Sequence, residues 1–202
     1  MDQQQLDSTS FTMSGLRPIP VAVTTAIGDR ANGLITLSGG PASIVPEAPR
    51  AMVGITKYNF SHDLIAESGV FVIHVLGSAD DLVDASIEII RTLGGSSGRD
   101  GDKLAHLRTK PGVTGAPILL DALAYVEVRV TGSYDNDENT TFYGDVVASE
   151  RLGRGGKLDI GVAWGMLGTD WTDEYERNHE AQVAHSRQLR GLPPLVEEGV
   201  SA

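Results

Sequence analysis

A mainly β chain that closes into a barrel, with a few peripheral helices, is the fold class this sequence predicts. Three observations predict it. Short runs rich in β-branched residues (VAVTTAI from Val21, AMVGIT from Ala51, VFVIHVL from Val70) are bounded by Gly, Pro, Asp or Asn. Two longer runs, Ala122–Thr131 and Thr140–Ser149, flank the polar stretch GSYDNDEN and read as a long hairpin. No repeat or linker interrupts the 202 residues, a length that suits one core. Short strands separated by turns are the pattern of a barrel.

Taken in order, residues 1–15 are polar and read as an N-terminal arm, loose or docking. Residues 16–170 form the main domain, and 171–202 a C-terminal helix and tail. Val21–Ile27 is the first strand; GDRA turns the chain into a second near Asn32–Ser38. GGPASIVPEAP, residues 39–49, holds three prolines and two glycines and reads as a loop. Ala51–Thr56 is a buried strand. Ser61 is a candidate N-cap, with Asp63 in the first turn and Gly69 past the end, so a short helix is expected over 62–68. Val70–Leu76 is the next strand. Ser78 and Asp81 have capping-box spacing for a helix to about Thr92, with Leu82, Ala85 and Ile89 on its inner face. A glycine-rich loop, GGSSGRDGDK, follows. Lys157–Trp164 reads as a last strand. Thr172 is expected to cap a final helix over 173–190, ending at Gly191 before two prolines. That helix is poor in apolar residues, so it is expected on the surface or against a partner.

Composition removes several function classes. The chain has no cysteine, which excludes disulfides, thiolate nucleophiles and iron–sulfur clusters. A net charge of −11 disfavours nucleic acid and anionic lipid, so an anionic cofactor must be held by local donors. No apolar stretch approaches the roughly 18 residues of a membrane span. The N-terminus lacks the basic-then-apolar order of a signal peptide, and a cytoplasmic location is the expectation. The sequons at Asn59 and Asn139 then carry no meaning. Five scattered histidines offer no metal-ligand spacing; His179 and His185 are six apart on the expected helix.

The best argument for chemistry lies at Lys57–Ser61. A strand ending in lysine, then Tyr58, Asn59 and a helix opening at Ser61, brings together a cation, side-chain donors and helix N–H groups. The competing reading is a surface lysine beside an ordinary cap. GGSSGRDGDKL lacks the order of a P-loop and reads either as a mobile surface loop or as a lid whose Arg99 or Lys103 meets phosphate. Trp164 and Trp171 read as packing or dimer contacts or, alternatively, one of them as a cover over a bound cofactor.

Six motifs occur in order: the strand pair VAVTTAIGDRANGLITLS with its Asn-Gly; PEAPRAMVGI; Lys57, Asn59 and Ser61; SGVFVIHVL; GAPILLDALAYVEVRV; and GDVV from Gly144. On these, residues from about Pro20 to Ser149 resemble the flavin reductase-like family of FMN-binding split barrels. The resemblance implies a split β-barrel of Greek-key type binding FMN, or sometimes FAD, at a homodimer interface, with NAD(P)H as electron donor. Carried over by position, Asn32, Gly33, Leu34, Thr36 and Ser38 line the isoalloxazine and ribityl chain. Ser43, Lys57, Asn59 and Ser61 hold the ribityl or phosphate end. The implied reaction is hydride transfer to flavin, which needs no catalytic acid or base, and the implied partners include a monooxygenase component. Three positions depart from the family: His74 stands where Asn is common, Asn139 where reductases often carry His, and GGP at 39–41 replaces a serine-rich run. His74 reads as an interior histidine or, alternatively, one facing the flavin. The Asn139 departure leaves open a non-catalytic flavin- or haem-binding protein on the same barrel.

Overall fold

A computed structural model describes residues 3–15 and 19–194. The described elements are α1 (Gln3–Gly15), β1 (Val21–Ile27), β2 (Arg30–Thr36), β3 (Gly39–Pro41), β4 (Arg50–Thr56), α2 (Phe60–Ser68) and β5 (Val70–Val75). There follow α3 (Val83–Gly94), β6 (Thr109–Pro111), β7 (Pro117–Leu119), β8 (Ala124–Asn136), β9 (Asn139–Arg151), α4 (Ile160–Leu167) and α5 (Thr169–Leu189).

Seven strands form one antiparallel sheet in the order β2-β1-β5-β8-β9-β4-β3, and β6 pairs with β7 separately. The edge strands of the large sheet are β2 and β3, yet only Leu37 and Ser38 separate them in the chain. Two edges joined by two residues force the sheet to curl, and Gly54 N–H donating to Ser38 O at 2.7 Å ties the ends together. The result is the half-barrel that the strand pattern predicts. Gly28 turns β1 into β2 at φ 58°, a left-handed conformation that glycine adopts without strain.

Both faces of β1 are buried, which explains its unbroken apolar run. Val21 and Val23 point into the barrel with Val53, Ile55, Phe71, Ile73 and Phe142. Ala22 faces a second cluster that α3 and α4 cover with Ile87, Ile90, Leu93 and Leu167. Strands β4 and β5 fall where their alternation and β-branching place them; the β8–β9 hairpin is present, but its strands run on to Asn136 and from Asn139, through most of the polar stretch expected as its turn.

Several local expectations are corrected. Lys157–Trp164 is not a strand: Lys157 makes one isolated bridge with Gly77, and α4 begins at Ile160. The Asp159 side chain accepts from Gly161 N–H at 2.7 Å, a cap that outweighs the β-branched run after it. Ala163 and Leu167, one turn apart, then bury together. Within the N-terminal arm, read as loose or docking, Gln3–Gly15 is helical. Gly39–Pro41, expected as loop, pairs with β4. Ser78 does not cap α3; its N–H bonds Gly156 O, and a turn at Ala79–Leu82 leads into the helix. α5 begins at Thr169, before Thr172, whose hydroxyl bonds back to Thr169 O at 2.9 Å. Its lack of any buried residue matches its apolar-poor sequence. Among the described residues no helix is long and apolar enough to cross a membrane.

Candidate functional site

As an edge strand, β2 has a sheet partner, β1, on one side only. Backbone N–H and C=O groups therefore alternate along its outer edge without a ladder to join. A cavity of about 360 Å³ lies against that edge. β2 supplies one wall at Asn32–Ile35, and Tyr58–Phe60, at the start of α2, a second. Residues 93–98 with Asp100 and Lys103 make the third, and α5 closes the fourth with Glu174, Tyr175, Asn178 and Gln182.

Asn32 is the pivot of this space. The residue is 3% exposed, and its Nδ2 donates to Ser61 Oγ at 2.9 Å. Its Oδ1 is buried and has no hydrogen-bond partner among the described residues. A buried acceptor left unmatched costs about 1–3 kcal/mol, so it calls for an explanation in function. Gly98 packs directly on this amide; a Cβ there would overlap Asn32 Oδ1, which is why the segment needs glycine at that point.

Ser61 is not the N-cap of α2. It is fully buried as the acceptor for Asn32, and Asn59 occupies the cap position one residue before Phe60. Asn59 makes no capping bond, and its Nδ2 donates to Thr56 Oγ1 at 2.5 Å. The first turn of α2 thus meets the cavity rim without a side-chain capping bond, and an uncapped helix N-terminus favours an anion. Arg99 supplies the adjacent positive charge. Its guanidinium bonds Tyr58 O at 2.9 Å and Asp63 at 3.0 Å, and lies 5.4 Å from the centre of the Phe60 ring.

Of the nine residues carried over by position, Asn32, Gly33, Leu34 and Asn59 line the cavity, and Ser61 stands directly behind Asn32. Thr36 and Ser38 sit at the seam between β2 and β4, where Ser38 N–H donates to Thr36 Oγ1 at 3.0 Å. Ser43 lies on the exposed connection to β4 and accepts from Val45 N–H at 3.1 Å. Lys57 is outside the cavity: its Nζ grips Asp135 at 2.7 Å, and this hydrogen bond holds the Asp135 carboxyl below the usual carboxylate range. Lys103 does not reach out as a phosphate ligand. It is buried, donating to Leu93 O at 2.5 Å and Ser96 O at 2.8 Å, and burial lowers its pKa to about 8.

His74 faces away from the cavity. Leu119 N–H donates to its Nε2 at 3.0 Å, so the proton sits on Nδ1, directed at Ala22 O at 3.3 Å. Burial drives its pKa down to about 3, against the raising effect of the Ala22 bond. It is an interior, neutral histidine. Asn139 opens β9 opposite Thr56 and Asn136, away from the cavity walls. Trp164, Trp171 and Tyr175 pack against one another, Trp171 on Tyr175 at 5.3 Å, and seat α5 on α4.

The wall made by α5 escaped sequence reasoning. Its signal was present: Glu174, Asn178 and Gln182 recur every four residues, one polar ridge on one helix face.

Comparison with known proteins gives a consistent result. The sequence pattern of the flavin reductase like domain matches residues 13–158. A high molecular weight rubredoxin of Moorella thermoacetica is 31% identical over 134 residues, which cover 66% of this chain and 56% of that protein. A ferric-chelate reductase (NAD(P)H) of Archaeoglobus fulgidus is 29% identical over 126 residues, 62% of this chain and 68% of that protein. The chain therefore spans little more than half the length of the first of these relatives. Among solved structures, an FMN-binding protein from Thermus thermophilus with bound 1-cyclohex-2-enone superposes with a TM-score of 0.59. The two share 24% identity, with 67% of this chain and 71% of that one covered, a likeness of fold.

Proposed function

The chain belongs to the flavin reductase like domain family, and from that premise we propose that it is an FMN-dependent oxidoreductase taking a hydride from NAD(P)H. The observation that carries this reading is the cavity on the open edge of β2, with an unmatched buried acceptor at Asn32 and an uncapped α2 at its rim. These features fit FMN. The ring's pyrimidine edge alternates acceptors with an N–H donor, as the edge of β2 alternates donors with acceptors. Its phosphate suits the first turn of α2. Bound there, FMN would supply the two-electron carrier between nicotinamide and acceptor.

The chain's own part is binding and exclusion. The β2 backbone and Asn32 orient the ring; Asn59, the α2 N-terminus and Arg99 hold the anionic end; residues 94–98 and α5 keep water from the far side. Thr36, Ser38, Ser43 and Lys57 belong to the same reading as an outer shell along the ribityl and phosphate. Asp135 is the group Lys57 must leave to touch phosphate. A homodimer, a cytoplasmic location and use of the reduced flavin by a monooxygenase partner, or directly on a small substrate, complete the proposal.

Anaerobic mixing of the FMN-loaded protein with NADH and with NADPH tests it. Bleaching of the flavin band within seconds is the expected result. Protein that does not bind added FMN defeats the reading outright, and a Soret band in its place points to haem. Bound FMN that neither nucleotide bleaches leaves a carrier of flavin rather than a reductase.

A further inference from the structure

The helix α5 lies beyond the matched residues 13–158 and is built in an unusual way for a helix that packs on its own protein. A helix covering a core turns an apolar stripe inward. α5 buries no residue, and the face it turns to the cavity carries Glu174, Asn178 and Gln182, one above the other, beside Tyr175. Its aromatic side is used for attachment instead: Trp171 packs on Gly94 and Gly95 and donates to Arg91 O at 3.3 Å. Tyr58 meets His185 edge-on at 5.6 Å across the same gap.

The charges around the cavity are unequal from side to side. Glu174 and Asp100 both border it. Lys103 is spent on two carbonyl oxygens, and Arg99 is held at the α2 end by Tyr58 O and Asp63. The α5 side therefore offers the Glu174 carboxylate and the amides of Asn178 and Gln182 beside Tyr175, with Asp100 across from them and Lys103 and Arg99 already engaged. Such a wall accepts hydrogen bonds from an uncharged or cationic group and repels an anion.

We propose that α5 is the donor-recognition wall of the site: Glu174, with Asp100 opposite, accepts hydrogen bonds from the carboxamide and ribose hydroxyls of a nicotinamide nucleoside. Tyr175 contributes a flat surface beside them. The inference rests on the nicotinamide-dependent reading above and deepens it. It makes a chemical distinction that the bare reading does not, because a carboxylate in place of the carboxamide would meet Glu174 and Asp100 with the wrong sign.

The test uses NAD+ and nicotinic acid adenine dinucleotide, which differ only in that carboxamide. FMN-loaded protein is titrated with each while the fluorescence of the two tryptophans is followed, Trp171 lying in contact with Tyr175. NAD+ is expected to bind about tenfold or more tightly than the acid analogue, a difference of ~1.4 kcal/mol. Glu174→Gln with Asp100→Asn is expected to bring the two within about threefold, as removal of two carboxylates abolishes the repulsion. A control pair, Glu67→Gln with Glu88→Gln, removes the same charge from equally exposed positions on α2 and α3 that do not line the cavity, and is expected to leave the ratio intact. Equal binding of the two dinucleotides, binding of neither, a ratio that survives the Glu174 and Asp100 changes, or one that the control pair narrows as much, would overturn the inference. Failure of this inference is separable from failure of the function: NADH that bleaches the flavin with no discrimination defeats the wall alone, whereas FMN that is never reduced by NADH or NADPH defeats the reductase reading.

Discussion

Two buried polar side chains, His74 and Asn32, sit on neighbouring parts of one curled sheet and differ in how they are satisfied. His74 has a partner at each ring nitrogen, Leu119 N–H and Ala22 O, and is fully enclosed. Asn32 has one partner, Ser61, and an amide oxygen with none among the described residues. Both arise from polar residues within apolar strands, so sequence pattern alone does not separate them. The difference is what a fold does with a polar group it needs for itself, against one it holds ready for something else. A completed pair of hydrogen bonds marks a structural residue. An enclosed, unmatched one beside a cavity is the residue we propose for binding.

The comparison breaks first at His74, where the largest effect is expected. His74→Ala removes a full ring and strands Leu119 N–H, which should cost about 3 kcal/mol of stability by urea unfolding. The FMN affinity of the folded fraction should stay within about twofold, since nothing at the cavity moves. A large loss of affinity at unchanged stability would reverse the assignment of the two residues. The same histidine gives a pH dependence whose sign is fixed. An unfolded imidazole takes its proton near pH 6.5, while the buried one resists to about 3. Between those values the unfolded state binds the extra proton, so this contribution is fully present above pH 6.5 and is lost as pH falls. About 2 kcal/mol should go between pH 6.5 and 5, and His74→Gln should flatten that part of the profile.

Asn32→Leu probes the other half. It removes the unmatched oxygen but leaves the buried Ser61 hydroxyl without its partner, so stability should fall by about 1–2 kcal/mol, less than in His74→Ala. FMN affinity should fall about tenfold or more in a fluorescence titration, because a donor on the ligand loses its acceptor. If stability drops as far as in His74→Ala while affinity holds, Asn32 is a structural residue after all. Gly98→Ala sharpens the same point: its Cβ would collide with the Asn32 amide. Displacing residues 96–100 should weaken FMN several-fold with a stability cost of about 1–3 kcal/mol.

Much of the sheet was legible because alternation and β-branching are local signals, and β1, β4, β5 and the β8–β9 hairpin carry them strongly. α4 was misread for the same reason: Ile160, Val162 and Trp164 look like a strand, and the cap that decides otherwise is a single carboxylate, Asp159. The site divides along a similar line. Asn32, Gly33, Leu34 and Asn59 follow from a resemblance spread over contiguous motifs. The packing of Gly98 on Asn32, and the placing of Glu174 around the same cavity as β2, bring together distant segments that no window of sequence contains. Ser61 shows how a local signal misleads, since a hydroxyl at a helix start reads as a cap until a partner such as Asn32 claims it.

Lys57 gives the smallest expected effect and the finest test of the contrast between satisfied and unmatched groups. By the criterion that separates His74 from Asn32, Lys57 is satisfied: its Nζ holds both oxygens of Asp135, at 2.8 and 2.7 Å. Yet the carboxylate is an exposed partner, and exposed ion pairs hold by about 0–1 kcal/mol, little enough for a phosphate to take the lysine away. Lys57→Ala should therefore weaken FMN about threefold while leaving riboflavin unchanged, the lost contact being to phosphate. Asp135→Asn should act in the opposite direction and tighten FMN slightly, because it releases the lysine and removes a competing negative charge. Equal weakening of FMN and riboflavin by Lys57→Ala would place the phosphate elsewhere, at the α2 N-terminus and Arg99 alone. Lys57 would then be, like His74, a residue that the fold keeps for itself.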